Sequence, residues 1–193
     1  MRAKLVALLF LLSALIALGQ DRALTVDRAK PATYALDRER EPVYGRCVGV
    51  TDGDTLRVLT TKQENLKVRV AFIDCPEARQ PFGARAKQAM SRLVFGKDLE
   101  LRPQARDRYG RLVALVYVEG VDAGFELLTA GLAWPSYRHL VQAPAEVQAS
   151  YSAAGDRARE QRVGLWSDPA PIPPWEWRKN QKERSRVTQD ALG

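Results

Sequence analysis

The chain has 193 residues, with 30 lysines and arginines against 23 aspartates and glutamates, giving a formal net charge of +7. Hydrophobic residues make up 46% and charged residues 27%, which is a globular mix and excludes a disordered or collagen-like chain. The length suits one domain of roughly 100–150 residues with tails. A single histidine (His139) and two cysteines (Cys47, Cys75) leave no ligand set for an ordinary zinc site.

The N-terminus reads as an export signal over residues 1–19. Arg2 and Lys4 precede a run from Leu5 to Leu18 that is apolar except for Ser13, and Ala17-Leu18-Gly19 supplies small residues for cleavage. The run falls short of the roughly 20 residues a spanning helix needs. The expected product is secreted or periplasmic, with no stable membrane span after cleavage; a retained N-terminal anchor is the alternative. Cleavage removes two basic residues and no acid, so the basic excess persists. Such an excess favours polyanionic partners. In an oxidising compartment Cys47 and Cys75 can pair, and the sequence leaves a Cys47–Cys75 disulfide open.

Residues 20–43 are mixed in charge and read as a flexible leader. Cys47 to Thr51 then reads as a strand ended by the Asp52-Gly53 turn. Thr55 to Thr61 is a second strand, and Leu66 to Ile73 a third, stopped by Pro76. Ala86, Met90, Leu93 and Val94 share a helical face, with Gly96 as the stop. Leu99–Leu101 and Leu112–Val118 are two more strands around the Asp107-Arg108-Tyr109-Gly110 loop. Val121, Phe125, Leu128 and Leu132 mark a short helix, and Val147, Tyr151, Ala154 and Ala158 another. Five short strands with one helix between the third and fourth predict an α+β fold over 44–168: a five-stranded OB-fold β-barrel with about three helices. Residues 169–193 are a Pro/Trp connector and a polar C-terminal tail. Trp175 to Arg178 should dock on the domain, and Lys179 to Gly193 should be disordered.

Three segments carry chemistry: Asp52-Gly53-Asp54-Thr55, Asp74-Cys75-Pro76-Glu77 and Asp107-Arg108-Tyr109-Gly110-Arg111. Asp54 follows a turn and Asp74 ends an apolar strand. If those strand ends meet at one barrel rim, their carboxylates suit a hard cation. Arg69, in the strand leading to Asp74, and Arg111, after a glycine turn, are suited to a phosphate diester. Each residue alone has a plain structural reading, as turn former, strand surface or hairpin tip. The ordered set is what stands out. His139, the four tryptophans and the Arg157–Arg162 run read better as packing or solvated surface than as site residues.

That set resembles the staphylococcal nuclease (thermonuclease) family. The matching pieces are Val50 to Thr55, Val68 to Glu77, Phe82-Gly83, Asp107 to Arg111, Gly131-Leu132-Ala133 and Gly164 to Ser167, spanning about Arg46 to Trp166. The tail Pro173 to Arg178 is similar to one in exported bacterial members. The resemblance implies a phosphodiesterase that uses one Ca²⁺ ion to cut DNA and RNA, as a monomer, leaving 3′-phosphate ends. It implies that Asp54 and Asp74 bind the ion through carboxylates and Cys75 through its backbone carbonyl, with Asp52 behind them. Glu77 is then the general base toward water, and Arg69 and Arg111 hold the phosphate. Tyr109 and Tyr137 match tyrosines that line the family's nucleotide pocket. The segment Ala78 to Gly83 is shorter than in the best-known members, and Gly124 replaces a polar residue. The rival expectations are a catalytically silent OB module that binds nucleic acid or protein, and a cell-surface interaction domain. The presence of all five acids and arginines favours the enzyme.

Overall fold

A computed structural model of the chain describes residues 41–190. The signal segment 1–19 and most of the 20–43 leader lie outside the described residues.

β1 (Val43–Val50) alternates inward and outward, with Gly45, Cys47 and Gly49 facing in. It pairs antiparallel with β2 (Thr55–Thr60) on one side and β5 (Asp98–Arg106) on the other. β2 pairs with β3 (Asn65–Val70), and β5 with β6 (Leu112–Val118). The sheet closes because β3 also pairs in parallel with β6, Arg69 lying opposite Val113 and Val70 opposite Ala114. The result is the five-stranded barrel that the sequence predicts. Leu56, Val58, Val68, Leu101 and Leu115 are fully buried in its core, each such side chain stabilising by roughly 1.5–3 kcal/mol.

A short β4 (Ile73–Asp74) leaves the barrel and pairs with β8 (Trp134–Pro135). α1 (Gly83–Val94) buries Ala86, Met90 and Val94. β7 (Val121–Asp122) makes a hairpin with β6 and leads into α2 (Ala123–Thr129). The one-turn α3 (Tyr137–Leu140) and the long α4 (Ala145–Glu160) follow. A 3₁₀ turn, Gly164–Ser167, precedes α5 (Pro174–Asp190). A second apolar cluster gathers Trp134, Ala158, Leu165 and Trp166, with Phe82 and Val163 at its edge. The Trp134 and Trp166 rings meet with centroids 4.2 Å apart.

The elements differ from expectation in four places. The third strand does not run through to Ile73: it stops at Val70, and Phe72 adopts a left-handed φ of 61° that turns the chain into β4. β5 continues to Arg106 rather than ending at Leu101. Pro103, which cannot donate to a ladder, sits at a bulge in that strand. The helix read from Val121 begins at Ala123, because Val121 and Asp122 pair with β6 first. Cys47 and Cys75, whose pairing the sequence left open, are both buried free thiols, and the Cys47 Sγ donates to the Gly49 carbonyl at 3.5 Å. The tail read as disordered is helical from Pro174 to Asp190, and Trp175 packs edge-on against Trp134 at 5.6 Å.

Asp122 ties the helical layer to the barrel. It caps α2 by accepting from the backbone N–H groups of Gly124 and Phe125. The fully buried Tyr151 of α4 donates its hydroxyl to the same carboxylate, at 2.9 Å from Oδ2. Burial pushes the Asp122 carboxyl from its ordinary 3.8 up to about 6, although these hydrogen bonds pull the other way. Between pH 4 and 6 the native state therefore holds the proton more tightly than the unfolded chain, and this group's contribution to stability falls as pH rises through that window. Denaturant unfolding should show the stability of the natural chain falling relative to Asp122→Asn by roughly 2–3 kcal/mol from pH 4 to pH 6.5. Parallel stability curves would remove Asp122 as the titrating group.

Candidate active site

Barrel closure builds the site. Thr55 lies opposite Arg69 across β2 and β3, and Arg69 opposite Val113 across β3 and β6. The start of β2, the end of β3 and the start of β6 therefore share one rim. Asp54, Arg69 and Arg111 stand on that rim, and the Phe72 turn swings β4 back so that Asp74 joins them.

The turn before β2 is held by Asp52, whose Oδ1 accepts from the Asp54 backbone N–H at 3.1 Å, an Asx-type turn. Asp54 is buried, its Oδ2 accepting from the Cys75 backbone N–H at 2.7 Å. The Thr55 hydroxyl donates to Oδ1 at 3.2 Å. A Cβ on Gly53 would come within 2.8 Å of the Cys75 side chain, so only glycine lets the turn close on β4. Arg69 bridges the two carboxylates: Nη1 is 3.0 Å from Asp54 Oδ2 and Nη2 is 3.0 Å from Asp74 Oδ1.

Burial pushes the Asp54 carboxyl up to about 7 against the pull of Arg69, with Asp52 and Asp74 adding to the rise. Desolvation works against the Arg69 charge, but Asp54 and Asp74 more than offset it and hold the guanidinium protonated. Burial also pushes the Cys75 thiol well up. It remains a neutral thiol, and its carbonyl is the group suited to a hard ion.

Glu77 lies beyond Pro76, with a half-exposed side chain (39%). Its backbone is fixed by Gln80, whose Oε1 accepts from the Glu77 N–H at 3.1 Å while the Gln80 N–H donates to the Glu77 carbonyl at 2.8 Å. α1 starts directly behind: a Cβ on Gly83 would fall 1.9 Å from the Glu77 carbonyl oxygen. Arg111 is clamped by Asp107, which takes its Nε at 2.6 Å and its backbone N–H at 3.0 Å. Those bonds overcome desolvation and hold the Asp107 carboxyl below its ordinary value. Arg111 Nη1 reaches Thr55 Oγ1 at 3.5 Å, and the Tyr109 ring lies 5.6 Å from its guanidinium carbon.

A cleft of about 1040 Å³ takes in Asp52, Asp54, Arg69, Asp74, Cys75, Glu77, Tyr109 and Arg111. Tyr137 is not among its lining residues. The single turn of α3 presents Arg138 and His139 to the cleft, while Tyr137 is influenced by Asp156 and Arg159 of α4.

The structure also adds a residue that the sequence reading placed only on a docking tail. Arg178 of α5 donates Nη2 to Asp74 Oδ2 at 2.7 Å and Nη1 to Glu77 Oε1 at 2.7 Å. Nη1 also lies 3.3 Å from Asp74 Oδ1. The bonds to Asp74, followed by those to Glu77, hold its charge more firmly than an exposed arginine's. The sequence signal was helical spacing: Trp175, Arg178, Lys179 and Lys182 recur at i, i+3, i+4 and i+7.

Among the described residues no group of three or more His, Cys, Asp or Glu side chains gathers as a metal cluster. The donor set is two buried carboxylates with backbone carbonyls beside them. That set fits a hard divalent cation whose remaining positions are taken by water. A cation between Asp54 and Asp74 would relieve the charge burial that lifts Asp54.

A closed OB barrel with paired carboxylates and arginines at one rim defines a phosphodiester-cleaving class. Residues 67–168 match the family described as Staphylococcal nuclease homologue. An endonuclease of Haemophilus influenzae is 38% identical over 143 residues, covering 74% of this chain and 77% of that protein. A micrococcal nuclease of Shigella flexneri is 37% identical over 147 residues, covering 72% and 82%. A staphylococcal-like nuclease of Arabidopsis thaliana is 36% identical over 119 residues, covering 62% of this chain and 35% of its own. The chain belongs to the staphylococcal nuclease family and is a nuclease, a hydrolase of phosphodiester bonds.

Gly83 tests how Glu77 is positioned. Gly83→Ala forces a methyl into the Glu77 carbonyl, so the start of α1 and the Glu77 loop must separate. Denaturant unfolding should show a loss of about 2–3 kcal/mol, and nuclease turnover should fall with it. Natural stability in the variant would mean that the loop yields freely.

Proposed function

We propose that this nuclease is exported and calcium-dependent, hydrolyses DNA and RNA with low sequence specificity, and leaves 3′-phosphate ends. The observation that carries the reading is the convergence of Asp54, Asp74, Glu77, Arg69 and Arg111 on one cleft. A silent binding module has no need of that set at one rim. The basic and apolar segment at residues 2–18 supports export, with an N-terminal anchor as the alternative. The protein acts as a monomer in this reading.

Asp54 and Asp74 would hold one Ca²⁺ through their carboxylates, with the Cys75 backbone carbonyl beside them. Such an ion would supply Lewis-acid polarisation of a phosphoryl oxygen and orientation of the diester. Arg69, relieved of bridging the two carboxylates, would turn its donors to the phosphate. Arg111, preset by Asp107, meets the phosphate from the other side. Two guanidiniums placed where charge develops stabilise the transition state.

Glu77 needs only hydrogen-bond reach to the attacking water. It accepts the water's proton as the water oxygen bonds to phosphorus. The bond from phosphorus to the 5′-oxygen breaks, the leaving oxygen takes up a proton, and the phosphate stays on the 3′ side. Tyr109, 68% exposed at the hairpin tip, offers a ring face to a base. Tyr137, exposed between the cleft-lining Ser136 and Arg138, offers a second ring to the nucleotide in this reading.

Digestion of plasmid DNA and of RNA by residues 20–193 tests the reading. Cutting should appear with Ca²⁺, vanish with chelator and be lost in Asp74→Ala. Glu77→Ala should lower turnover by about 10²–10⁴-fold with unchanged circular dichroism, and Arg69→Ala should lower turnover by about 10²–10³-fold and destabilise the rim as well. Products should accept a 5′ label directly and a 3′ extension only after phosphatase. A folded, calcium-loaded protein that cuts nothing points instead to a silent OB module.

A further inference from the structure

We propose that α5 is the second wall of the substrate cleft, with Lys179 and Lys182 holding backbone phosphates of a polynucleotide beside the scissile one. The inference rests on the nuclease reading above and extends the same site beyond one nucleotide.

Three independent contacts fix the helix at the cleft. Gln80 Nε2 donates to the Ile172 carbonyl in the proline connector. Trp175 packs edge-on against Trp134. Arg178 then clips the first turns to Asp74 and Glu77 at the floor. With the helix so held, its phase matters. Arg178, Lys179 and Lys182 line the cleft, whereas the acids of the same helix, Glu176 and Glu183, do not. Arg178 and Lys182 are one turn apart, about 6 Å along the axis, so the positive charge extends away from the floor.

The β5–β6 loop also lends basic residues to the lining, Arg106 and Arg108 beside Arg111. The cleft thus has acids at its floor and basic residues from both α5 and this loop. Its volume of about 1040 Å³ lies at the upper end of the roughly 300–1000 Å³ typical of small-molecule pockets, room for a segment of chain rather than a single nucleotide. A polyanion crossing it would set one phosphate over the floor and its neighbours against the walls. Lys179 lies 4.0 Å from Glu183 in an exposed pair, a contact weak enough to yield to a phosphate.

The test is binding of a fluorescent twelve-nucleotide single-stranded DNA, in chelator so that it stays uncut, from 20 to 200 mM KCl. Lys179→Gln/Lys182→Gln in the full chain should weaken binding about 5–20-fold at 100 mM KCl. The slope of log K against log salt should become shallower by about 1.4, since each phosphate contact to a single strand contributes about 0.7. Lys179→Arg/Lys182→Arg should restore the slope, because the charge is what binds. With calcium, the ratio of kcat/KM for the twelve-mer to that for a dinucleotide should fall about tenfold in the glutamine variant. Unchanged slope and ratio, or no binding by the natural chain at 20 mM KCl, overturns the proposal. Failure of the natural chain to cut with calcium is a separate result and sinks the nuclease reading instead.

Discussion

The rim depends on one interaction, the Arg69 guanidinium bridging the buried carboxylates of Asp54 and Asp74. Bringing two carboxylates out of water costs several kcal/mol each, and their mutual repulsion adds to the cost. The chain keeps both because every acceptor is met. Asp54 receives the Cys75 N–H, the Thr55 hydroxyl and Arg69; Asp74 receives Arg69 and Arg178. Arg69 is fixed in turn by the parallel pairing of β3 with β6. Barrel closure and the charge bridge are therefore mutually dependent. Opening the barrel at that seam would strand two buried charges, and removing the bridge would set those charges against each other at the seam.

Strain and close approach are concentrated around the same point. Phe72 takes a left-handed conformation that costs a bulky residue of order 1–3 kcal/mol. Fixed contacts on both sides hold it there. The Ala71 N–H donates to the Ala114 carbonyl, and the Phe72 carbonyl accepts from Ser136, each at 2.8 Å. Its ring meets Tyr151 edge-on with centroids 6.4 Å apart. Without that turn β3 would continue straight and carry Asp74 away from Asp54. Gly53 and Gly83 serve the same end by letting backbone pack where a Cβ has no room.

Much of this was legible in the sequence. The alternation in β1 to β3, the helical stripes of α1 and α4, and the Asp-Gly-Asp, Asp-Cys-Pro-Glu and Asp-Arg-Tyr-Gly-Arg segments led to the barrel and to eight of the residues now found in one cleft. The failures have local causes. The run from Leu66 to Ile73 alternates as far as Arg69 and is fully apolar from Val70 onward, so nothing in it announces a left-handed Phe72. Pro103 and the polar residues after Leu101 hid the second half of β5, whose bulge tolerates the proline. The tail was misread because its polarity was taken for solvation. The docking of Trp175 to Arg178 was foreseen, but the reach of Arg178 into the site is visible only once a helical period is laid over the lysines.

The charge layout of the cleft reconciles two opposed requirements. A cation site needs carboxylates, and a polyanionic substrate is repelled by them. Among the residues that line the cleft, eight lysines and arginines face five acids, so the net field is attractive. The distribution matters more than the sum. Asp54 and Asp74 are bridged by Arg69, Glu77 is tied to Arg178 and Asp107 to Arg111, so their charge is neutralised at short range, while Arg106, Arg108, Lys179 and Lys182 are exposed to an approaching strand. In a partly water-filled cleft such opposite charges at a few ångströms offset each other more effectively than charges across the groove. An incoming phosphate therefore meets basic walls before an acidic floor. Only at the floor, where Asp54 and Asp74 converge, does the arrangement require a further positive charge, and the cation that completes the site supplies it.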